Sequence, residues 1–290
     1  MKGIILAGGS GTRLHPSTLS VSKQLLPVYD KPMIYYPLST LMLAGVKEVL
    51  IISNPEFIES YRLLLGDGKD WGMSFSYVIQ KSPRGLADAF ILGEDFITNE
   101  PVSMMLGDNI LYGSTLVEKL SYATTIENGA VIFAYQVRDP ERFGIVEFDQ
   151  DRKAISLEEK PRNPKSNYAI PGVYFYDGKV SEYAKSLKPS LRGEIEITDL
   201  NRIYLEKNQL EVIVLGRGIA WLDAGTPEAL LQAANFIQAV QERQGFKISC
   251  PEEIAFRKHF INRDQFKDLI KKYKNPDYQK YLEDVLHQEN

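Results

Sequence analysis

The segment that most limits what this chain can become is its first strand-length run. Lys2-Gly3-Ile4-Ile5-Leu6-Ala7 is apolar without alternation and passes straight into Gly8-Gly9-Ser10-Gly11. An alternating pattern suits a strand with one wet face. An unbroken apolar run suits a strand covered on both faces, as parallel strands usually are. Parallel neighbours need crossover segments, normally helices, rather than tight turns. The next hundred residues supply that alternation. Residues 33–44 carry Ile34, Leu38, Leu41 and Met42 at helical spacing before Gly45, and residues 46–53, with the apolar run Val49-Leu50-Ile51-Ile52, read as a second buried strand up to Asn54-Pro55. A helical stretch at 57–65, a strand at 75–80, a helix at 86–96 and a strand at 102–106 are expected next. The fold class this implies is α/β, with a mostly parallel sheet flanked by helices on both faces.

Beyond about residue 110 the pattern changes. Strands expected at 130–137, 144–149, 154–158 and 168–176 are joined by shorter links with turn chemistry such as Asp149-Gln150-Asp151. That mix predicts antiparallel additions to the same sheet or a small subdomain on it. From Pro227 the chain reads as helix: Thr226-Pro227 is a good start, and Leu230, Ala234, Ile237 and Val240 form one stripe. Charged helical segments are expected at 251–259, 264–274 and 277–288. No repeat, low-complexity tract or separating linker interrupts the sequence, so residues 1–290 are expected to form one unit.

Composition narrows the function classes. At 44% hydrophobic residues a large core can be buried, and a net charge of -4 argues against a chain built to bind nucleic acid. No apolar run approaches the roughly 20 residues of a membrane helix. The N-terminus lacks the layout of a signal peptide, and a single cysteine, Cys250, excludes an intrachain disulfide. The expectation is a cytoplasmic protein with neither nucleic acid nor a membrane as partner.

The chemistry concentrates in a few segments. Gly8, Gly9 and Gly11 directly after a buried strand let backbone N–H groups approach an anion, and Ser10, Thr12 and Arg13 add donors suited to polyphosphate. The same loop also reads as a tight βα turn with Arg13 in solvent. It is not a P-loop, which ends Gly-Lys-Ser/Thr, nor a dinucleotide fingerprint, which needs a small residue where Leu14 stands. Lys23, in Ser22-Lys23-Gln24-Leu25-Leu26-Pro27, either reaches a phosphate on that loop or is a surface charge. Asp108 follows a strand and is expected at its carboxyl edge, where open α/β sheets bind ligands; Asp223 follows the apolar run 219–222. Two aspartates converging from distant strands would suit Mg²⁺, and each alone could equally cap a turn. Glu158-Glu159-Lys160-Pro161 places a lysine at a strand end, where a solvated edge is the ordinary reading.

Taken together and in order, these segments resemble the sugar-nucleotide pyrophosphorylases, the nucleoside-triphosphate:sugar-1-phosphate nucleotidyltransferases. The resemblance covers nearly the whole chain and includes Leu106-Gly107-Asp108-Asn109, Trp221-Leu222-Asp223-Ala224-Gly225-Thr226 and Cys250-Pro251-Glu252-Glu253-Ile254-Ala255. It implies a Rossmann-like core, divided into a nucleotide-binding half at 1–110, a sugar-binding half at 111–226 and a helical oligomerisation and regulatory segment at 227–290. It implies Mg²⁺ on Asp108 and Asp223, and Arg13, Lys23 and Lys160 on the reacting phosphates. The nucleotide site would comprise Leu6, Gly8, Gly9, Gly11, Thr12, Arg13, Gln24 and Asp108. Gln80, Pro83, Gly85 and Leu86 would read the base, the glutamine amide matching a pyrimidine imide edge. Leu106, Asn109, Phe143, Gly144, Glu159, Lys160, Gly172, Val173, Tyr174 and Trp221 would hold the sugar phosphate.

The thymidylyl-transferring branch fits best, which implies dTTP and glucose 1-phosphate as substrates and a first step towards dTDP-rhamnose and related deoxysugars. A uridylyl-type pyrophosphorylase and a non-catalytic sensor subunit are the alternatives. Sensor relatives lose the cations or carboxylates that this chain keeps. The resemblance also implies a homotetramer with an end-product nucleotide sugar at a second site, formed by Tyr112, Gly113, Gly216, Arg217, Ser249, Cys250, Glu253, Ile254 and Arg257. Without the resemblance, Arg217 between two glycines is a loop arginine.

Overall fold

In a computed structural model that describes residues 1–288, strand β1 (Lys2–Leu6) is buried on both sides. Ile5 and Ala7 pack into one helical layer, and Ile4 and Leu6 into the other. That is why the run does not alternate. After a short hairpin, β2 (Pro27–Val28) and β3 (Lys31–Pro32), helix α1 (Tyr35–Leu43) returns the chain to β4 (Glu48–Ser53). Helix α2 (Ile58–Leu65) and β5 (Ser74–Ile79) follow, then α3 (Asp88–Leu92), α4 (Glu94–Ile97) and β6 (Val102–Leu106). The expected single helix at 86–96 is two, meeting at Gly93, which lies so close to the sheet that a Cβ would stand 3.0 Å from the Ala89 carbonyl and 3.2 Å from Ile4 and Leu50.

The second half adds β7 (Asn109–Gly113), α5 (Leu116–Ala123), β8 (Ala130–Gln136), β9 (Gly144–Phe148), β10 (Ala154–Glu159), β11 (Tyr168–Ala169) and β12 (Val173–Tyr176). It continues through α6 (Val180–Ser186), α7 (Ile197–Glu206), β13 (Leu210–Leu215) and β14 (Ile219–Asp223). The strand expected at 168–176 is therefore split at Ile170-Pro171-Gly172. Pro171 has no N–H for a ladder, and here the chain leaves β9 as a partner and takes up β6.

The main sheet runs β10-β9-β11-β8-β12-β6-β1-β4-β5, with β13 parallel to β8. Strands β6, β1, β4 and β5 are mutually parallel, and the strands beyond β6 are largely antiparallel additions. The chain builds β1, β4 and β5 outward, then crosses back to place β6 on the other side of β1. That reversal between β1 and β6 opens a crevice at their carboxyl ends, the place where such sheets take ligands. A separate two-stranded ribbon pairs β14 antiparallel with β7, Asp223 opposite Asn109 and Ile219 opposite Gly113.

The C-terminal segment is helical as expected: α8 (Pro227–Gln244), capped by the Thr226 hydroxyl, then α9 (Pro251–Arg257), α10 (Arg263–Ile270) and α11 (Pro276–Gln288). The expected segment to residue 290 includes Glu289 and Asn290, which lie outside the described residues. Among the described residues no helix is long and apolar enough to cross a membrane. Helix α8 covers the ribbon through Ala233 and Ile237 against Ile110.

Helices α9 to α11 are pinned to the sheet layer by one buried carboxylate. Glu252 is fully buried and accepts hydrogen bonds from Trp71 Nε1 at 3.2 Å, Tyr278 Oη at 2.8 Å, Cys250 Sγ at 3.3 Å and Tyr273 Oη. Glu252→Ala would strand two or three buried donors at about 1–3 kcal/mol each. We expect a loss of about 3 kcal/mol or more in urea unfolding, with the C-terminal helices becoming the first site of proteolytic cleavage; a variant as stable as the parent would refute this account.

Candidate active site

The crevice between β1 and β6 is a cavity of about 440 Å³. One side of it begins where β1 ends. Gly9 (φ +102°) and Gly11 (φ +61°) take backbone conformations that residues with side chains rarely adopt, and they turn the chain so that Gly8 and Arg13 line the cavity. Lys23 and Gln24 come from the next short helical turn. Gln24 is buried and held by the Ser22 hydroxyl at 2.9 Å, which itself meets Tyr61 Oη at 2.7 Å.

On the far side stand Phe143, Gly144, Glu159, Lys160, Gly172, Tyr174 and Trp221, with Leu6, Leu86, Leu106 and Asn109 between. Lys160 sits directly after β10 with φ +42°, a strained conformation for a lysine, fixed by its N–H on the Phe143 carbonyl at 3.0 Å. Glu159 Oε2 accepts from Thr198 Oγ1 at 2.5 Å. Trp221 is wedged between Phe143 and Tyr135, with ring centroids 5.0 and 5.7 Å away.

All five residues expected to carry the chemistry, Arg13, Lys23, Asp108, Lys160 and Asp223, line this one cavity. Of the nucleotide set, Gly9, Gly11, Thr12, Gln80, Pro83 and Gly85 do not. Gln80 lies behind the glycine loop: its Oε1 is 2.9 Å from where a Gly8 Cβ would be, and its Nε2 donates to Asp88 Oδ2 at 3.0 Å. Val173 faces the opposite layer from its neighbour Tyr174 and is buried there.

Sequence reasoning missed Arg142, Arg192, Glu194, Glu196, Thr198 and Asn201, which also line the cavity. Arg142 directly precedes the recognised Phe143-Gly144. Arg192 lies in Ser190-Leu191-Arg192-Gly193, a glycine-bearing loop with an arginine but no strand before it to mark it. Its Nε donates to Glu196 Oε1 at 3.1 Å and its Nη2 to Glu194 Oε2 at 2.6 Å, 3.9 Å from Glu159.

The two aspartates meet because β14 pairs with β7. Burial would push the Asp108 carboxyl up, but the Lys23 ammonium on its Oδ2 and the Asn109 amide on its Oδ1 outweigh this and hold it below the ordinary value. Asp223 goes the other way: burial and the Asp108 charge push it up, against the pull of Lys23, Arg13 and Arg142. Two carboxylates sharing a cavity, one destabilised by the other, fit a hard divalent cation that binds through one or two protein carboxylates and leaves the rest of its shell to water and phosphate. Among the described residues no cluster of three or more His, Cys, Asp or Glu offers a fuller cage.

Seven of the nine residues expected at a second site also come together. Tyr112, Gly113, Ser249, Cys250, Glu253, Ile254 and Arg257 line a cavity of about 320 Å³ at the other end of the β7–β14 ribbon; Gly216 and Arg217 do not line it.

Residues 2–240 match the profile of the nucleotidyl transferase family. The chain is 57% identical over 282 residues to a glucose-1-phosphate thymidylyltransferase of Neisseria meningitidis, covering 97% of this chain and 98% of that one. A solved chain from Bacillus anthracis, a candidate glucose-1-phosphate thymidylyltransferase in complex with sucrose, is similar at a TM-score of 0.76 and 43% identity over 81% of this chain and 94% of its own. A UDP-glucose pyrophosphorylase bound to UDP-glucose is similar at a TM-score of 0.72 and 26% identity, covering 84% of this chain and 99% of its own.

The electrostatics of the aspartate pair can be tested without substrate. A carboxyl whose value is raised by folding stabilises the fold when protonated, and that contribution is lost as pH rises through the folded-state value. Asp223→Asn should therefore melt higher than the parent at pH 7.5 in the presence of a chelator, and the gap should close as the pH falls to the ordinary value of 3.8. A parent that melts higher at pH 7.5 would contradict the direction.

Proposed function

Because the chain belongs to the nucleotidyl transferase family, we propose that this enzyme moves a thymidylyl group from dTTP to α-D-glucose 1-phosphate, giving dTDP-glucose and pyrophosphate. The observation that carries the reading is the convergence of Arg13, Lys23, Lys160, Asp108 and Asp223 on one cavity at the β1–β6 crevice. The sugar-phosphate oxygen attacks the α-phosphorus of dTTP, a new P–O bond forms, and the bond to the β-phosphate oxygen breaks with its electron pair leaving on pyrophosphate. A phosphate dianion is already a nucleophile at neutral pH, so no side chain has to remove a proton.

The difficulty is bringing two polyanions together. Each pair of like unit charges at 4 Å costs about 4 kcal/mol at an effective dielectric of about 20. The chain answers with cations from separate elements. Arg13 takes the β- and γ-phosphates, Lys23 the α-phosphate and the departing pyrophosphate, and Lys160 the sugar phosphate. Arg142 and Arg192, at the sugar end, add two more positive charges to the same wall. Asp108 and Asp223 would hold Mg²⁺, which when bound supplies positive charge against the transferring phosphoryl oxygens. Glu159, kept in place by Thr198, accepts from sugar hydroxyls. Asp108 holds the Lys23 ammonium at the cavity before substrate arrives.

We further infer a regulatory site for an end-product nucleotide sugar in the second cavity, supported by the gathering of seven of its expected residues around one space. A homotetramer in the cytoplasm, working at the entry to dTDP-deoxyhexose synthesis, completes the reading.

Pyrophosphate release should be measured with dTTP, UTP, CTP, ATP and GTP against several hexose 1-phosphates. The expected maximum is dTTP with glucose 1-phosphate, abolished by chelation of divalent metal and lowered by about 100-fold or more in kcat for Asp108→Asn. A maximum with UTP or a purine nucleotide would replace the specificity, and full activity under chelation would remove the metal. Equilibrium dialysis with dTDP-glucose should give two sites per chain; a stoichiometry of one would end the regulatory assignment.

A further inference from the structure

We propose that Asn109 is the positioning residue that locks the nucleotide and sugar sides of the cavity to one another; this rests on the nucleotidyl-transfer reading above. Asn109 is 4% exposed and begins β7, directly after Asp108. Its amide joins three segments far apart in sequence. Nδ2 donates to Asp108 Oδ1 at 3.1 Å, while Oδ1 accepts from Trp221 Nε1 at 2.6 Å and from the Gly172 N–H at 3.0 Å.

Each contact controls something different. Asp108 Oδ2 is taken by Lys23, so the Asn109 amide on Oδ1 fixes the rotation of the carboxylate that would otherwise be free about its last torsion. Trp221 stands two residues before Asp223 on β14, whose register sets Asp223 opposite Asn109; holding the indole holds the strand that carries the second carboxylate. Gly172 is the break between β11 and β12, at the point where the sugar wall meets β6, and its carbonyl accepts from the Leu106 N–H at 2.8 Å.

Few residues can do this. Aspartate of the same length accepts from the indole and Gly172 but has no proton for Asp108, and it sets a second charge beside it. Leucine keeps the branching at Cγ, is bulkier and makes no bond. Only an amide of this length donates in one direction and accepts twice in the other. A direct contact with a sugar hydroxyl would use the remaining Nδ2 hydrogen and show in KM; a strut shows in kcat.

The experiment uses Asn109→Asp and Asn109→Leu in full-length protein. The chain has two tryptophans, so in a Trp71→Phe background the emission of Trp221 reports its own hydrogen bond without any turnover. Asn109→Asp should leave that emission in place and lower kcat about 10- to 100-fold, the usual cost of losing a group that orients a metal-binding side chain. Asn109→Leu should shift the emission and lower kcat at least as far, in both cases with a smaller change in KM for glucose 1-phosphate. Either variant with native far-UV circular dichroism and kcat within about twofold of the parent overturns the proposal, as does a loss confined to KM. If Asn109→Leu fails to fold, Asn109→Asp decides alone. A parent that releases no pyrophosphate from any substrate pair defeats the functional reading instead, and the Trp221 emission in Asn109→Leu still decides whether Asn109 holds the indole.

Discussion

The mutual repulsion of Asp108 and Asp223 is the constraint around which the rest of the site is built. Two carboxylates in one cavity repel, and the Asp223 carboxyl is raised first by its burial and then by the Asp108 charge. The fold holds them together from three sides. The ladder between β7 and β14 fixes their register, α8 clamps the ribbon from outside through Ala233 and Ile237, and Lys23 neutralises Asp108 from within. Val28, Tyr36, Ile110 and Ile237, all fully buried, form the apolar core between α8 and the ribbon.

The cations differ in how tightly they are held, and the difference matches their expected tasks. Lys23 is 14% exposed and already bound to a carboxylate, so it is positioned before any ligand arrives. Lys160 is 49% exposed and 3.8 Å from Glu159, and Arg192 is 39% exposed among Glu194, Glu196 and Glu159. Ion pairs at that exposure contribute little to stability. They keep the side chains near the cavity mouth, and a doubly charged phosphate can displace the carboxylates at small cost. Lys23 and Gln24 are thus the more enclosed groups of the cavity, and Lys160 and Arg192 the more exposed ones.

Much of this was legible in the sequence because burial on both faces leaves a plain signature. The unbroken runs of β1 and β4 announced a parallel sheet, and Asp108 could be placed at a strand end from Val102–Leu106 alone. Antiparallel and edge elements carry weaker marks. Strand β7 begins with the polar Asn109 and follows a two-residue turn, so nothing separated it from the loop after β6. Strand β13 hides behind Glu211. The break at Ile170-Pro171-Gly172 was visible as a proline in an apolar run, yet only the change of partner from β9 to β6 explains it. Arg192 was missed because its loop follows no strand; its place in the site is a matter of tertiary approach, which spacing does not encode. The pairing of Asp223 with the Asp108 region was inferred from resemblance, and its physical cause, a two-stranded ribbon apart from the main sheet, was not.

That ribbon also explains why two cavities arise where they do. Five residues of β7 span about 13 Å at strand rise. One end carries Asn109 and Asp223 into the crevice, and the other carries Gly113 and Tyr112 into the cavity beneath α9. Strand register is quantised, since a slip of one residue would turn every side chain to the opposite face. With Leu111 and Ile110 buried in different layers on opposite faces of β7, a one-residue slip would put each in the other's place, so packing fixes the register. The same pairing that forces the aspartates together makes the walls of both cavities parts of a single element.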